Sequence, residues 1–130
     1  MVGERCWTLI GAQGPATGTW RVRLERAIRG EETKVDADWS WTLAREETHG
    51  DVAGFYHTHP AGTGTGPSGR DTRTMQAWCG ALGKRLLCVI AEEGREQDPG
   101  AWLFEDDERQ GLPVGPVVWE GQDHLTVQER

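Results

Sequence analysis

The sequence predicts an α/β fold in which a single mixed sheet carries flanking helices, and three observations support this prediction. The length of 130 residues suits one domain with one hydrophobic core. Short apolar or alternating segments, which are typical of strands, lie on both sides of one segment with helical periodicity. No repeat and no linker divides the chain. We therefore predict one domain over residues 1–130, in which residues 106–130 form a partly ordered C-terminal extension.

Apolar residues at period two predict most strands in the first half of the chain. Val22 and Leu24 fall on one face of a segment in which Arg21 and Arg23 fall on the other. Tryptophan and leucine alternate with polar residues around Trp41 in the same way. The strands predicted here are Trp7–Gly11, Trp20–Ile28, the alternating segment Trp39–Leu43, and Val52–His59.

A different spacing predicts a helix over Asp71–Leu82. Its apolar residues recur at i, i+3, i+4 and i+7 and form one stripe of Met75, Trp78, Cys79 and Leu82. Gly83 follows directly and is a natural helix end. Further strands are predicted at Arg85–Ala91, Ala101–Phe104 and, as an edge strand, Val117–Trp119.

The composition argues against nucleic acid and membranes as partners. The formal net charge is −7 and the pI is about 5.0, whereas binding to nucleic acid or to anionic lipid requires a basic surface. Mean hydropathy is −0.63, and no apolar run is long enough to span a bilayer or to act as a signal peptide. Cys6, Cys79 and Cys88 are spaced neither as a zinc pair nor as a disulfide framework. We therefore expect a reducing, cytoplasmic location.

The acidic charge is concentrated in two segments. Residues 31–51 carry a net charge of −5, and residues 92–109 carry −6. Such runs are usually solvated surface segments. Alternatively, they could line the rim of a site for a basic peptide, and both interpretations stay open at this point.

The most informative stretch runs from His57-Thr58-His59-Pro60 through a glycine-rich loop to Ser68-Gly69-Arg70-Asp71. Side chains two apart on a strand point to the same face, so His57 and His59 can bind one ion. The loop can turn the chain back, so that Asp71 in the first helical turn adds a carboxylate. Two histidines and one aspartate leave a fourth position open, which is the pattern of a catalytic zinc site.

Each fragment of this pattern also has a purely structural interpretation. A pair of histidines on a strand can simply be a surface pair, and Ser68 with Asp71 resembles a capping box that starts a helix. The order of the fragments, within a strand, loop and helix, favours the metal site.

These residues resemble the motif of the JAMM (MPN-plus, or JAB) zinc metalloproteases, and its prokaryotic branch in particular. That motif is a glutamate upstream, then H-x-H, usually seven residues that often start with proline, then S-x-x-D; here the spacer has eight residues. The upstream part corresponds to Glu4-Arg5-Cys6-Trp7-Thr8-Leu9-Ile10-Gly11. The resemblance covers roughly residues 4–105 and implies a cytidine-deaminase-like (JAB/MPN) architecture. Because only three residues precede Glu4, we expect a catalytic core without the family's leading helix.

The resemblance also implies roles for the matching residues. His57, His59 and Asp71 would bind one Zn²⁺ per chain. Glu4 would act as the general base toward the attacking water and would pass the proton to the leaving amine. Ser68 would donate a hydrogen bond to the oxygen of the tetrahedral intermediate or orient the water.

The implied function is that of a deubiquitinase-like isopeptidase in a bacterial ubiquitin-like system. The enzyme would hydrolyse the bond after the C-terminal glycine of a ubiquitin-like protein, either in deconjugation or in precursor processing. Its substrate would be that protein or its conjugate, and E1/E2-like activating and conjugating proteins of the same system are expected partners.

Three alternatives compete with this interpretation. A non-catalytic MPN-type scaffold could bind a ubiquitin-like or other partner protein, although intact metal ligands argue against it. A zinc nucleoside deaminase would need H-x-E or C-x-E together with C-x-x-C, which this sequence lacks. The DNA-repair-associated RadC branch shares the H-x-H-P and P-S-x-x-D pattern, but the acidic balance fits DNA poorly.

Overall fold

A computed structural model describes residues 5–29, 39–105 and 110–129 of the chain. These ranges contain two helices, α1 (Trp39–His49) and α2 (Gly69–Leu82), and eight strands. The strands are β1 (Arg5–Gln13), β2 (Thr19–Arg29), β3 (Val52–His59), β4 (Leu86–Glu92), β5 (Gly100–Phe104), β6 (Leu112–Val114), β7 (Val117–Trp119) and β8 (His124–Gln128). Within the same ranges, neither helix has the length and apolar character needed to cross a membrane.

All eight strands form one curled mixed sheet in the order β6-β5-β4-β3-β1-β2-β8-β7. Only β3 and β4 are parallel, and helix α2 connects them. The strands β6 and β7 lie at opposite edges of the sheet, although only Gly115 and Pro116 separate them in the chain. Both of these residues form backbone hydrogen bonds with Gln128 of β8. The sheet must therefore curl until its two edges come close together.

The curl separates two hydrophobic cores, one on each face of the sheet. The concave face buries residues that the strands contribute by themselves, including Leu9, Tyr56 and Val89. The other face packs against the helices and buries Phe55, Trp78 and other residues. Because β3 and β4 are central and buried on both faces, they form the rigid part of the sheet.

An irregularity in β3 decides which of its side chains face the helices. Opposite β1, Leu9 pairs with Gly54 and the next residue pairs with Val52, so Ala53 is an extra residue in the strand. Val52 and Phe55 both lie in the helix-side core although they are three residues apart. The bulge thus shifts the alternation by one residue, and every second residue from Phe55 onward faces the helix side. Without it, His57 and His59 would face the concave core.

Glycine is required at this bulge. The φ angle of Gly54 is +152°, and a Cβ atom there would lie 2.0 Å from the carbonyl oxygen of Leu87 in β4. No rearrangement of side chains removes this overlap, since the obstacle is backbone.

Most predicted elements are confirmed, with ends that differ by at most two residues. The helix begins two residues earlier than predicted, and Gly83 ends it in the left-handed conformation. Cys79 and Cys88 are buried and not in a disulfide. The strands β6 and β8 were not predicted, because one contains a proline and the other lies in a polar segment. Residues 110–129 thus contribute three strands to the sheet, whereas residues 106–109 lie outside the described ranges.

The strand predicted around Trp41 is wrong, because Trp39–His49 forms helix α1. Its alternation spans only five residues, little more than one helical turn, and Ala-Arg-Glu-Glu that follows favours a helix. The helix packs through Trp39, which stacks on Trp78 at 4.2 Å, and through Thr42, whose hydroxyl bonds that of Thr8. Because the buried residue of α1, Thr42, is polar, the spacing of apolar residues does not indicate this helix.

Replacing Gly54 with alanine is expected to destabilise the fold by roughly 3 kcal/mol or more, because the new methyl group overlaps the Leu87 backbone. Gly94→Ala is the matched control: its φ is +88°, but a Cβ atom there meets nothing within 4 Å. We expect the control to cost about 1 kcal/mol, from backbone strain alone. Urea denaturation measures both values, and equal losses would contradict the bulge as described.

Candidate metal centre

The centre is built at the end of β3, where two histidines share one face of the strand. His57 and His59 pair in parallel register with Ile90 and Glu92 of β4. The two side chains are only 10% and 11% exposed. The prediction that both imidazoles project together is therefore confirmed, and strand pairing on both sides holds them in place.

The third side chain comes from the start of α2. Ser68 is the N-cap of this helix, and its Oγ atom accepts a hydrogen bond from the Asp71 N–H at 3.0 Å. In return, the Asp71 carboxylate accepts one from the Ser68 N–H at 2.9 Å. The capping box that the sequence offered as a structural interpretation is thus present. It also fixes the Asp71 carboxylate toward the histidines, so the structural and functional interpretations are compatible.

The three side chains converge on one point. The two histidine Nε2 atoms are 3.2 Å apart, and Asp71 places one carboxylate oxygen 3.3 Å from His57 Nε2 and the other 3.1 Å from His59 Nε2. One potential ligand atom from each residue lies within 4.8 Å of the others. Residues separated by up to fourteen positions in sequence are therefore brought together as the sequence predicted.

This convergence requires a proton or a metal ion among the three side chains. The Nδ1 atom of His59 contacts the carbonyl oxygen of Gly64 at 3.1 Å, and a carbonyl oxygen can only accept a hydrogen bond. A neutral His59 therefore has its proton on Nδ1 and a lone pair on Nε2. That lone pair faces a carboxylate oxygen of Asp71 and the Nε2 atom of His57. Acceptor atoms this close repel one another unless a proton or a metal ion lies among them.

The charge state of Asp71 agrees with this requirement. Burial raises the pKa of the Asp71 carboxyl, but contacts with His57, His59 and the Ser68 backbone lower it by more, to well below its usual range. The group is therefore a carboxylate at neutral pH, as a metal ligand must be.

The donor atoms are close enough together to share one metal ion. Zinc bonds to nitrogen and oxygen are about 2.0–2.1 Å long, so neighbouring ligand atoms of a tetrahedral site are about 3.3 Å apart. The nearest separations here are 3.1, 3.2 and 3.3 Å, of which the first and the last go to different oxygens of the Asp71 carboxylate. Imidazole and carboxylate are both common metal ligands. The group can therefore hold a metal ion.

A cavity of about 330 Å³ opens beside the three side chains. Its walls are formed by the end of β3, the loop and the start of α2: His59, Pro60, Thr63, Gly66, Ser68, Arg70 and Asp71. Ser68 is exposed here, so its hydroxyl can still donate a proton into the cavity. Arg70 adds a positively charged side chain to the wall, a contribution that sequence analysis missed although the residue lies inside the motif.

Glu4 lies outside the described residues, and its role stays a prediction. The residue after it, Arg5, begins β1 and donates its N–H to the Thr58 hydroxyl at 3.1 Å. The next residue of β1, Cys6, pairs with His57. The start of β1 therefore lies beside the histidine end of β3.

The other histidines lie elsewhere in the described structure, and the cysteines belong to the core. His49 ends α1 in an exposed position, and the side chain of His124 is 57% exposed at the start of β8. Burial raises the pKa of the Cys88 thiol well above its usual value, and the nearby Asp71 charge adds to this effect. Cys88 is therefore a protonated core residue and a poor nucleophile.

Comparison with known proteins finds no family model that matches the chain and no curated protein that is significantly similar to it. The functional assignment therefore depends on the motif and on the geometry of the three converging side chains.

Proposed function

We propose that this protein is a zinc-dependent peptidase or isopeptidase that cleaves after the C-terminal glycine of a ubiquitin-like protein. The observation that carries the proposal is the convergence of His57, His59 and Asp71 beside an open cavity. Three protein ligands with one open position are the arrangement of hydrolytic zinc enzymes, whereas structural sites are closed by four. The MPN-type architecture belongs to the same proposal.

The residues of the proposed centre have different roles in the reaction. When bound, zinc supplies a Lewis acid that lowers the pKa of a water ligand to about 7 and polarises the scissile carbonyl group. Asp71 and the two histidines hold their donor atoms in place through strand pairing and the capping box. Ser68 donates a hydrogen bond from its hydroxyl group to the carbonyl oxygen as negative charge develops there. Glu4 takes a proton from the attacking water and delivers it to the leaving amine.

The substrate class follows from the resemblance of the motif, and the charge of the chain supports it. Residues 92–98, which begin at the end of β4 that lies next to the histidines, carry four acids and one base. An acidic surface near the centre favours a substrate with a basic tail. We place the protein in the cytoplasm of a bacterium, with E1/E2-like activating and conjugating proteins as its functional partners.

The direct test incubates the zinc-loaded protein with ubiquitin-like proteins encoded beside its gene, each fused through its terminal glycine to a reporter. Release of the reporter at that glycine, lost in Asp71→Asn and on chelation, is the expected result. Stoichiometric zinc binding without cleavage of any such fusion would contradict the enzyme proposal and favour a scaffold.

Each chain is expected to bind one zinc ion, and zinc should raise the melting temperature of the protein. A ligand that binds only the folded state stabilises it by about 2.7 kcal/mol when its concentration is a hundred times its Kd. His57→Ala removes a ligand and should abolish both effects. His124→Ala removes an exposed histidine of β8 and is the matched control. Metal content after gel filtration and thermal unfolding measure the outcome. Unchanged zinc content in His57→Ala would exclude the proposed centre.

Substitutions at Ser68 separate its capping role from its catalytic role. Ser68→Gly costs only a few tenths of a kcal/mol as a cap, but removes the hydroxyl and should lower kcat about a hundredfold. Ser68→Thr keeps both the cap and the hydroxyl and should restore most of the activity. Steady-state kinetics and thermal unfolding of both variants provide the comparison. A Ser68→Gly variant with normal kcat would leave Ser68 with the capping role alone.

A further inference from the structure

The loop that follows His59 is held by a side chain that the metal motif does not include. The Oε2 atom of Glu92 accepts hydrogen bonds from the N–H groups of Gly62 and Gly64, at 2.7 and 3.2 Å. Glu92 is the last residue of β4 and pairs in register with His59 at the end of β3. A carboxylate at the end of one strand therefore ties down the loop that leaves its neighbour.

The same loop orients the ring of His59. The carbonyl oxygen of Gly64 contacts His59 Nδ1 at 3.1 Å, which keeps the proton on Nδ1 and turns Nε2 toward Asp71 and His57. Gly64 thus uses its N–H group toward Glu92 and its carbonyl toward the imidazole. Its φ of +84° belongs to the left-handed region that favours glycine, which lets one residue present both groups in these directions.

We infer that Glu92 is a positioning residue of the metal centre, acting through Gly64 on the orientation of His59. Groups that bind the second nitrogen of a ligating imidazole, as the Gly64 carbonyl does here, typically change metal affinity by ten- to a hundredfold when they are removed. The inference rests on the metal centre of the proposed function and extends it by one residue. One acid of segment 92–109 therefore holds a loop of the protein itself, whereas the sequence predicts only a solvated or substrate-facing surface for this segment.

A second contact keeps the loop in place independently of Glu92. Trp102 of β5 donates its indole N–H to the carbonyl oxygen of Thr65 at 3.0 Å. Loss of the Glu92 contacts is therefore expected to loosen the loop around Gly64 without releasing it completely, so that the change acts on the centre in a folded protein.

The test compares Glu92→Ala with Glu93→Ala, which removes the same charge one residue further on from an exposed side chain. The Kd for Zn²⁺ is measured by competition with a chromophoric chelator. Glu92→Ala should raise it roughly tenfold, the lower end of the effect of removing a direct partner, and Glu93→Ala should leave it within a factor of about two of the wild type. Glu92→Gln should be intermediate, because its amide oxygen can accept the same two N–H groups.

Two outcomes would overturn the inference. Equal Kd values for Glu92→Ala and Glu93→Ala, with both variants folded, would show that Glu92 has no effect on the centre. If Glu92→Ala does not fold, Glu92→Gln and Glu93→Gln are compared by the exchange rate of the His59 Nδ1 proton in ¹⁵N-resolved NMR. We expect faster exchange only in Glu92→Gln, and equal rates would count against the role of Glu92.

These results are separable from a failure of the proposed function. A wild-type protein that binds no zinc would contradict both. Zinc binding and fusion cleavage by the wild type, with no effect of Glu92→Ala on Kd, would leave the function standing and remove the positioning role alone.

Discussion

The position of β3 between β1 and β4 is the constraint on which the site depends. The bulge at Ala53 and Gly54 sets the face to which every later side chain of β3 points. Close packing of Gly54 against the Leu87 backbone leaves no room for another residue there. The histidines lie at the far end of this strand, so their direction depends on the strand and not on the loop or α2. The sheet therefore supplies a rigid base, and a single helix turn completes the centre.

The start of α2 shows how one local interaction serves both folding and chemistry. The capping box between Ser68 and Asp71 satisfies two backbone N–H groups at the end of the helix. The carboxylate that does this also faces His57 and His59. One acceptor group thus contributes to helix stability and to the metal centre, and substitutions there must be measured for both effects.

The sequence predicts the centre better than it predicts the sheet. Strand alternation places His57 and His59 on one face, and the S-x-x-D spacing places Asp71 in the first helical turn, because each depends on local geometry. The bulge that turns this face of β3 toward the helix depends on pairing with β1 and was not predicted. Helix α1 escaped prediction because its buried contact is polar, through Thr42. The roles of Glu92 and Trp102 were also not predictable, since both depend on long-range contacts with the loop. The strand order, with β6 and β7 at the two edges of the curled sheet, likewise depends on pairing between distant segments.

X-ray absorption spectroscopy of the zinc-loaded protein tests the central claim most directly. The account predicts a first shell of four nitrogen and oxygen atoms at about 2.0–2.1 Å, two of which belong to imidazoles. It also predicts no sulfur neighbour, because Cys6, Cys79 and Cys88 are buried in the protein core. A sulfur atom at about 2.3 Å, or a shell without imidazole, would contradict a zinc site formed by His57, His59 and Asp71.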